Sequence, residues 1–337
     1  MSRKIKTKII AEKISNLVNV ARQQIVRSVN QTMANSYFEI GRIIVEEEQH
    51  GFEKADYGKF LLMELSKNLC KEFGKGFSVT NLKQMRQFYI CYSGSVDYKI
   101  GQTVSDLFKL SWSHYLVLMR MDDNLERMFY ENESIKNNWS IRELERQYDS
   151  ALFTRLSLSK NKRAVLKLAR NGQSIENPKD AVKDPYVLEF IGLPDHNMYS
   201  ESDFEQKIID KLESFLLELG AGYTFVARQE RISFDEKHFR IDLVFYNRIL
   251  KCFVLIDLKV GELKHQDIGQ MQMYVNYYDR KVKLKEENKT IGIILCQNKN
   301  ESIVKYTLPE NNKQIFASKY LTILPSKEVL QKIIEIE

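Results

Sequence analysis

Cysteine is scarce in this chain and never clustered. Cys70, Cys91, Cys252 and Cys296 lie far apart, with no C-x-x-C pair. That spacing excludes the tight disulfide framework of a small secreted domain and reads as free thiols in a reducing cytoplasm. The five histidines, His50, His114, His196, His238 and His265, are equally scattered, so no zinc-ligand spacing is present. No stretch approaches the roughly 18 uncharged apolar residues of a membrane span. The N-terminal "MSRKIKTKIIAEKISNL" breaks its apolar residues with charges and so lacks a signal-peptide core. A non-exported, soluble protein without a membrane partner is expected.

The chain has 337 residues, 43% hydrophobic and 28% charged, enough for two domains that each bury a core. The net charge of +6 is unevenly spread: residues 1–172 carry 28 Lys and Arg against 19 Asp and Glu, and residues 173–337 carry 23 against 26. The surplus of 9 in the first part suits a polyanion, although uneven solvated helix surfaces explain charge alone equally well.

Apolar residues at Ile9, Ile10, Ile14, Leu17, Val18, Ala21, Ile25 and Val29 follow helical spacing and predict one long amphipathic helix. A second helix is expected over "ANSYFEIGRIIVEEEQ", a third from about Tyr57 to Phe73, and a fourth from about Val79 to Tyr92. The last two flank the turn "GKGF" and form a helix-turn-helix pattern, in which Lys75, Lys83 and Arg86 are candidate phosphate contacts. Ser140 and Glu143 are spaced as a capping box, and Gly172 follows a basic helix end. Residues 1–172 thus read as a helical domain. Residues 173–196 hold three of the five prolines and little periodicity and read as a linker, leaving 197–337 as a second domain. In it one helix precedes three strand-like runs, "YTFVARQERISF", "FRIDLVFY" and "CFVLIDLKV"; a helix from about Gln266 to Tyr278 and the strand "TIGIILC" follow. The overall class is α+β with two domains, the second a mixed sheet flanked by helices.

Two of those strands carry charges where apolar residues are expected. Side chains alternate across a strand, so Asp242 faces with Val244 and Tyr246, and Asp257 shares a face with Lys259. An unpaired charge inside a sheet costs several kcal/mol, on the order given by ion desolvation, so a compensating partner is required. A magnesium ion between Asp242 and Asp257 supplies one, with Lys259 placed to orient or deprotonate water or to neutralise a phosphate. A plain structural ion pair between Asp257 and Lys259 accounts for D-x-K taken alone. Glu205 lies at the edge of the apolar face of the preceding helix and can point to the site, yet Ser202 and Glu205 also match a capping box. Gln270 and Tyr274 sit one turn apart on the following helix; the Gln can hold water or phosphate, and the Tyr can bond backbone, contact nucleic acid, or belong to the core.

The succession Glu205, Asp242, "IDLK" with Asp257 and Lys259, then Gln270 and Tyr274 resembles the PD-(D/E)XK nuclease superfamily, and within it the YhcG-like members. The likeness extends through "FSVTNLKQMRQFY", "LSWSHY", "NWSIRELERQ", "FIGL", "FRIDLVFYNR" and "GQMQMY", from about Tyr37 to Gln297. It implies a restriction-endonuclease-like second domain joined to a helical first domain with a winged-helix or helix-turn-helix element. It further implies Asp242 and Asp257 as metal ligands, Lys259 as catalytic lysine, and Glu205 and Gln270 as supporting residues. Asp257 stands where many members have Glu, and no Pro precedes Asp242. The expected activity is a Mg²⁺-dependent endonuclease acting on DNA, with Mn²⁺ as substitute metal and the oligomeric state open. The alternatives are a non-catalytic DNA-binding or adaptor protein and an RNA-directed nuclease.

Overall fold

A computed structural model of the chain describes residues 3–50, 55–94, 108–157, 162–193, 199–234 and 236–324. They form two compact units, Met1–Glu145 and Arg146–Glu337. The first has helices as the regular structure of its described residues, and the second is built on a mixed six-stranded sheet.

The first unit opens with α1, Arg3–His50, followed by α2, Ala55–Phe73, and α3, Val79–Tyr92. The two helices expected before residue 50 are therefore one. Nothing between Val29 and Ala34 breaks a helix: there is no Pro or Gly, and Thr32 and Ser36 spend their hydroxyls on the carbonyls of Ser28 and Thr32 one turn back. The buried side chains of α1 among the described residues, Ala34, Asn35, Phe38 and Ile44, lie in its second half. Gly41 lets α1 approach α3 so closely that a Cβ there would lie 2.1 Å from the carbonyl oxygen of Met85. Beside that crossing, Phe38 meets the rings of Phe88, Tyr89 and Phe108. Ser78 caps α3 by accepting from the amide of Asn81. Helices α2 and α3 flank the turn at 74–78, as the helix-turn-helix pattern predicts. Then come α4, Trp112–Leu118, and α5, Asn124–Asn137; α6, Ile141–Asp149, straddles the division between units and starts with Ser140 accepting from the Glu143 amide.

The second unit continues with α7, Leu152–Ser157, and α8, Lys162–Asn171, which ends at Gly172 with φ 68°. The linker expected over residues 173–196 is, in its described part, structured. Tyr186 and Val187 form strand β1, and they and Leu188 are fully buried. Proline there excludes helix without excluding packing, and "YVLEFI" is apolar enough to join the core. Helices α9, Glu201–Asp210, and α10, Leu212–Leu219, lead into β2, Tyr223–Phe234; β3, Lys237–Asn247; and β4, Cys252–Glu262. Helix α11, His265–Tyr277, crosses to β5, Ile291–Asn298, and α12, Glu301–Thr307, to β6, Ile315–Leu321.

The spatial order is β1-β6-β5-β4-β3-β2, with β2, β3 and β4 antiparallel and β4, β5, β6 and β1 parallel. Helices cover both faces. On one side Phe204, Ile208 and Phe215 pack against Leu243, Phe245, Val254, Ile256 and Leu258. On the other, Met271, Tyr274 and Val275 pack against Val244, Leu255 and Ile294. Central β4 is buried without interruption from Val254 to Leu258, as a strand covered on two faces must be. No helix among the described residues is long and apolar enough to cross a membrane.

Candidate metal-dependent nuclease site

The register of β3 on β4 sets the site. Paired residues run from Asn247–Cys252 to Leu243–Ile256, and the ladder ends there. One more step would pair Asp242 with Asp257, so the two acids stand level where the strands part. The backbone freed by that parting is capped by the site itself: the amide of Leu258 donates to Asp242 Oδ2 at 2.8 Å. Strand β4 stays anchored from its other edge, with Asp257 level with Ile294 of β5.

Asp257 is only 2% exposed, on the face it shares with Leu255 and α11. Alternation brings Lys259 beside it, Nζ to Oδ2 at 2.9 Å, and Glu201 of α9 reaches the same ammonium at 3.7 Å. Burial pushes the Asp257 carboxyl up to about 7; Lys259 opposes that rise and Asp242 adds to it. Burial alone would lower Lys259, but Asp257, Glu201 and Asp242 together outweigh it and raise the ammonium above its ordinary value. One cation therefore faces more than one carboxylate.

Glu205 is brought in by a residue that sequence reasoning did not select. Gln229 of β2 lies opposite Asp242, and its backbone turns to φ 48°, the left-handed region that costs a non-glycine residue of order 1–3 kcal/mol. The turn aims its amide at the site. Gln229 Nε2 donates to Glu205 Oε2 and, at 3.1 Å, to Asp242 Oδ1. Arg228 Nε approaches Glu205 Oε1 at 3.0 Å, and burial raises the Glu205 carboxyl. The only signal in the sequence is a polar "RQE" inside a strand whose neighbours are apolar. The capping alternative for Glu205 is excluded, because α9 begins two residues earlier, with Ser200 as its N-cap. Ser200 and Asp203 make the reciprocal box, Asp203 N to Ser200 Oγ at 3.1 Å and Ser200 N to Asp203 Oδ2 at 3.0 Å.

Gln270 and Tyr274 do share a face, but they bond each other: Gln270 Nε2 donates to the Tyr274 hydroxyl, which donates to Arg240 O at 2.8 Å. Tyr274 is fully buried, which corrects its candidacy as a nucleic-acid contact and makes it the tie between α11 and the start of β3. Its hydroxyl is raised to about 12 by burial and by Asp257. Lys75, Lys83 and Arg86 are in the first unit. Lys75 lies in the turn before α3 and is exposed, as is Lys83, whereas Arg86 Nε donates to Glu48 Oε2 at 2.6 Å.

The donors suit a hard divalent cation. Asp242 and Asp257 offer two carboxylates, the number with which Mg²⁺ ordinarily binds protein while water and substrate complete its octahedron. Among the described residues no three His, Cys, Asp or Glu side chains converge into a fuller cage.

Comparison with known proteins bears on the whole chain. Residues 179–335 match the family model described as YhcG PDDEXK nuclease domain, and residues 13–155 match the DUF1016 N-terminal domain. The chain is 40% identical over 345 residues to "Putative nuclease YhcG" of Escherichia coli (strain K12), covering 95% of this chain and 92% of that protein. Among solved structures, a repair endonuclease from Pyrococcus abyssi aligns over 38% of this chain and 49% of its own, at 17% identity and TM-score 0.25. EndoMS in complex with double-stranded DNA aligns over 38% and 46%, at 13% identity and TM-score 0.26.

Proposed function

This chain belongs to the YhcG PDDEXK nuclease family, and from that premise we propose that it is a Mg²⁺-dependent endonuclease that hydrolyses phosphodiester bonds in DNA. The observation that carries the reading is the meeting of Asp242 and Asp257 where β3 and β4 part, with Lys259 Nζ 2.9 Å from the buried acid. In this reading Asp242 and Asp257 hold the metal, which supplies Lewis-acid stabilisation of the charge that develops on the phosphate. Lys259 stays protonated and donates to a non-bridging phosphate oxygen, where a preorganised cation in a water-poor site acts most strongly. Gln229 holds Asp242 and Glu205 in a fixed relation, and an outer partner of this kind orients the ligand it touches. Gln270, turned to Tyr274, acts through the packing of α11 against the site.

For DNA the supporting observation is the positive surplus of residues 1–172, with Lys75 and Lys83 exposed about the turn and start of α3. Phosphate contacts by themselves do not separate DNA from RNA, so substrate class is an arm of the test.

The test is cleavage of duplex, single-stranded and branched DNA and of RNA, with Mg²⁺ and with chelator, by the wild type, Asp257→Ala and Lys259→Ala. Each variant is expected to lose at least about 10²-fold in rate, the scale of removing one preorganised charge, while nucleic-acid binding persists. Equal cleavage by all three proteins would refute the assignment of Asp257 and Lys259, and no heat of Mg²⁺ or Mn²⁺ binding to the wild type would favour the non-catalytic adaptor.

A further inference from the structure

The first unit holds a cavity of about 520 Å³ between the middle of α1, the residues leading into α4 and the end of α5. That volume falls in the range of roughly 300–1,000 Å³ typical of small-molecule sites. Three kinds of chemistry meet in its walls.

The first wall is aromatic and apolar. The chain has two tryptophans. Trp112 packs on the rings of Tyr37 and Phe88, whereas Trp139 has no ring neighbour among the described residues and lines the cavity beside Leu110 and Ile135. The backbone of Trp139 is clamped from both sides. Its amide donates to Ser134 O at 3.1 Å, across the left-handed turn of Asn138 at φ 51° that ends α5. Its carbonyl accepts from His114 Nε2 at 3.0 Å, and His114 Nδ1 shares a hydrogen bond of 2.6 Å with Ser111 Oγ. Both ring nitrogens of His114 are thus engaged, and the imidazole holds the indole in place. A fixed, half-buried indole is a surface on which another flat ring stacks.

The second wall is cationic. Arg22 of α1 and Lys109 are exposed, neither pairs with an acid among the described residues, and no Asp or Glu lines the cavity. Two cations without a carboxylate select an anion.

The third wall is polar and uncharged. Asn30 and Gln31 line the cavity half-buried, and their amides have no partner among the described residues. A carboxamide offers donors and an acceptor together, which is what the edge of a nucleobase requires. Ser134 closes the inner end, fully buried with its Oγ unpaired.

Inorganic phosphate has no use for the indole, and a phosphorylated phenol has no polar ring edge to meet two carboxamides. A nucleotide carries all three features in one molecule. We propose that this cavity is a nucleotide-binding site, in which the base stacks on Trp139 with its edge toward Asn30 and Gln31 and the phosphate meets Arg22 and Lys109. A free nucleotide and an unstacked nucleotide of a DNA strand present the same chemistry to it. The site belongs to the first unit alone and does not depend on cleavage by the second.

The fluorescence of Trp139 tests the site in the full chain carrying Trp112→Phe. Chelator is present, so that metal-dependent cleavage plays no part, and excitation lies beyond the absorption of the bases. Saturable quenching is expected with dAMP, with a short single-stranded oligodeoxynucleotide, or with both. Quenching by dAMP identifies a free nucleotide as ligand, and quenching by the oligodeoxynucleotide alone identifies a strand. Arg22→Glu with Lys109→Glu changes two exposed side chains and is expected to raise Kd at least about tenfold, the scale of a lost charged hydrogen bond, with unchanged helical circular dichroism. No saturable quenching by either probe, or the same Kd in the charge variant, overturns the proposal. Displacement of dAMP by phosphotyrosine or inorganic phosphate with equal affinity overturns the assignment of the base.

Discussion

Glu218 is the buried charge on which the second unit depends, and Glu218→Gln should be among the most damaging conservative substitutions in it. The carboxylate is fully buried at the end of α10. Its Oε1 accepts from Arg155 Nη1 at 2.7 Å and from the Val187 amide at 3.0 Å, and Oε2 faces Arg146 Nη2 at 3.4 Å. Lys183, itself 3% exposed, donates to the Glu218 carbonyl, and its Nζ lies 4.0 Å from Oε2. One acid thus balances cations from three places between residues 146 and 183 and fastens β1 to α10. Burial by itself would raise Glu218, but Arg155 and Lys183 reverse the sign and hold it at about 2. Gln keeps the shape and the hydrogen-bond acceptor while removing the charge. Arg155, with no side-chain exposure, then loses its charge partner. Breaking a buried pair from one side costs roughly 3–5 kcal/mol. For a domain of this size that is a fall in Tm of about 6–20 °C, at about 2–4 °C per kcal/mol. Thermal and urea unfolding followed by near-ultraviolet circular dichroism would measure it, with Arg155→Met and the double variant completing a cycle. The double variant should lose less than the sum of the singles. As a control, Glu176→Gln in the exposed Lys167–Glu176 pair should leave Tm unchanged. Because the folded carboxyl is depressed below its unfolded value near 4.5, its contribution is full above that pH and disappears as pH falls toward about 2. A loss below about 1 kcal/mol for Glu218→Gln, set against that expectation for a broken buried pair, would refute this account of the network.

Two further outcomes follow from the first unit. Gly41→Ala places a methyl against the backbone carbonyl of Met85, which cannot rotate away, so α1 and α3 must separate. A loss of roughly 1–3 kcal/mol or more is expected from overpacking, read as an earlier helical melt; an unchanged melt would mean that the crossing is looser than described. Glu131 accepts a hydrogen bond from the Tyr115 hydroxyl at 3.1 Å, and burial raises its carboxyl to about 7, against the opposing pull of Tyr115 and Arg127. A raised acid stabilises the fold most below its unfolded value near 4.5, and that contribution is lost as pH rises through about 7. The first unit should therefore be less stable at pH 8 than at pH 5, and Glu131→Gln should flatten the difference in a pH series of melts. A slope identical in the variant would point to another group.

The periodic parts of the chain are legible in the residues alone. "YTFVARQERISF" coincides with β2 at Tyr223–Phe234, and the fourth expected helix coincides with α3 at Val79–Tyr92, because turn residues bound both segments closely. Strand alternation alone puts Asp257 and Lys259 on one face, and the structure has them 2.9 Å apart. Where local spacing fits two arrangements, it does not choose between them. Ser202 with Glu205 satisfies the capping spacing as well as Ser200 with Asp203 does, and only the start of α9 in space separates them. Prolines at 178 and 185 suggest a linker, whereas β1 exists because β6 offers it an edge more than a hundred residues later.

By itself the sequence determined the type of its strongly periodic segments, which residues share a face, and which acids and cations interrupt apolar runs, since each depends on chemistry within a few residues. Tertiary structure alone decided that β3 stops pairing with β4 one residue before Asp242 and Asp257, and that Gln229 turns to hold Asp242 and Glu205 together. It also decided that Tyr274 is buried. Register and exposure depend on packing summed over elements far apart in the chain, and no local spacing encodes that sum.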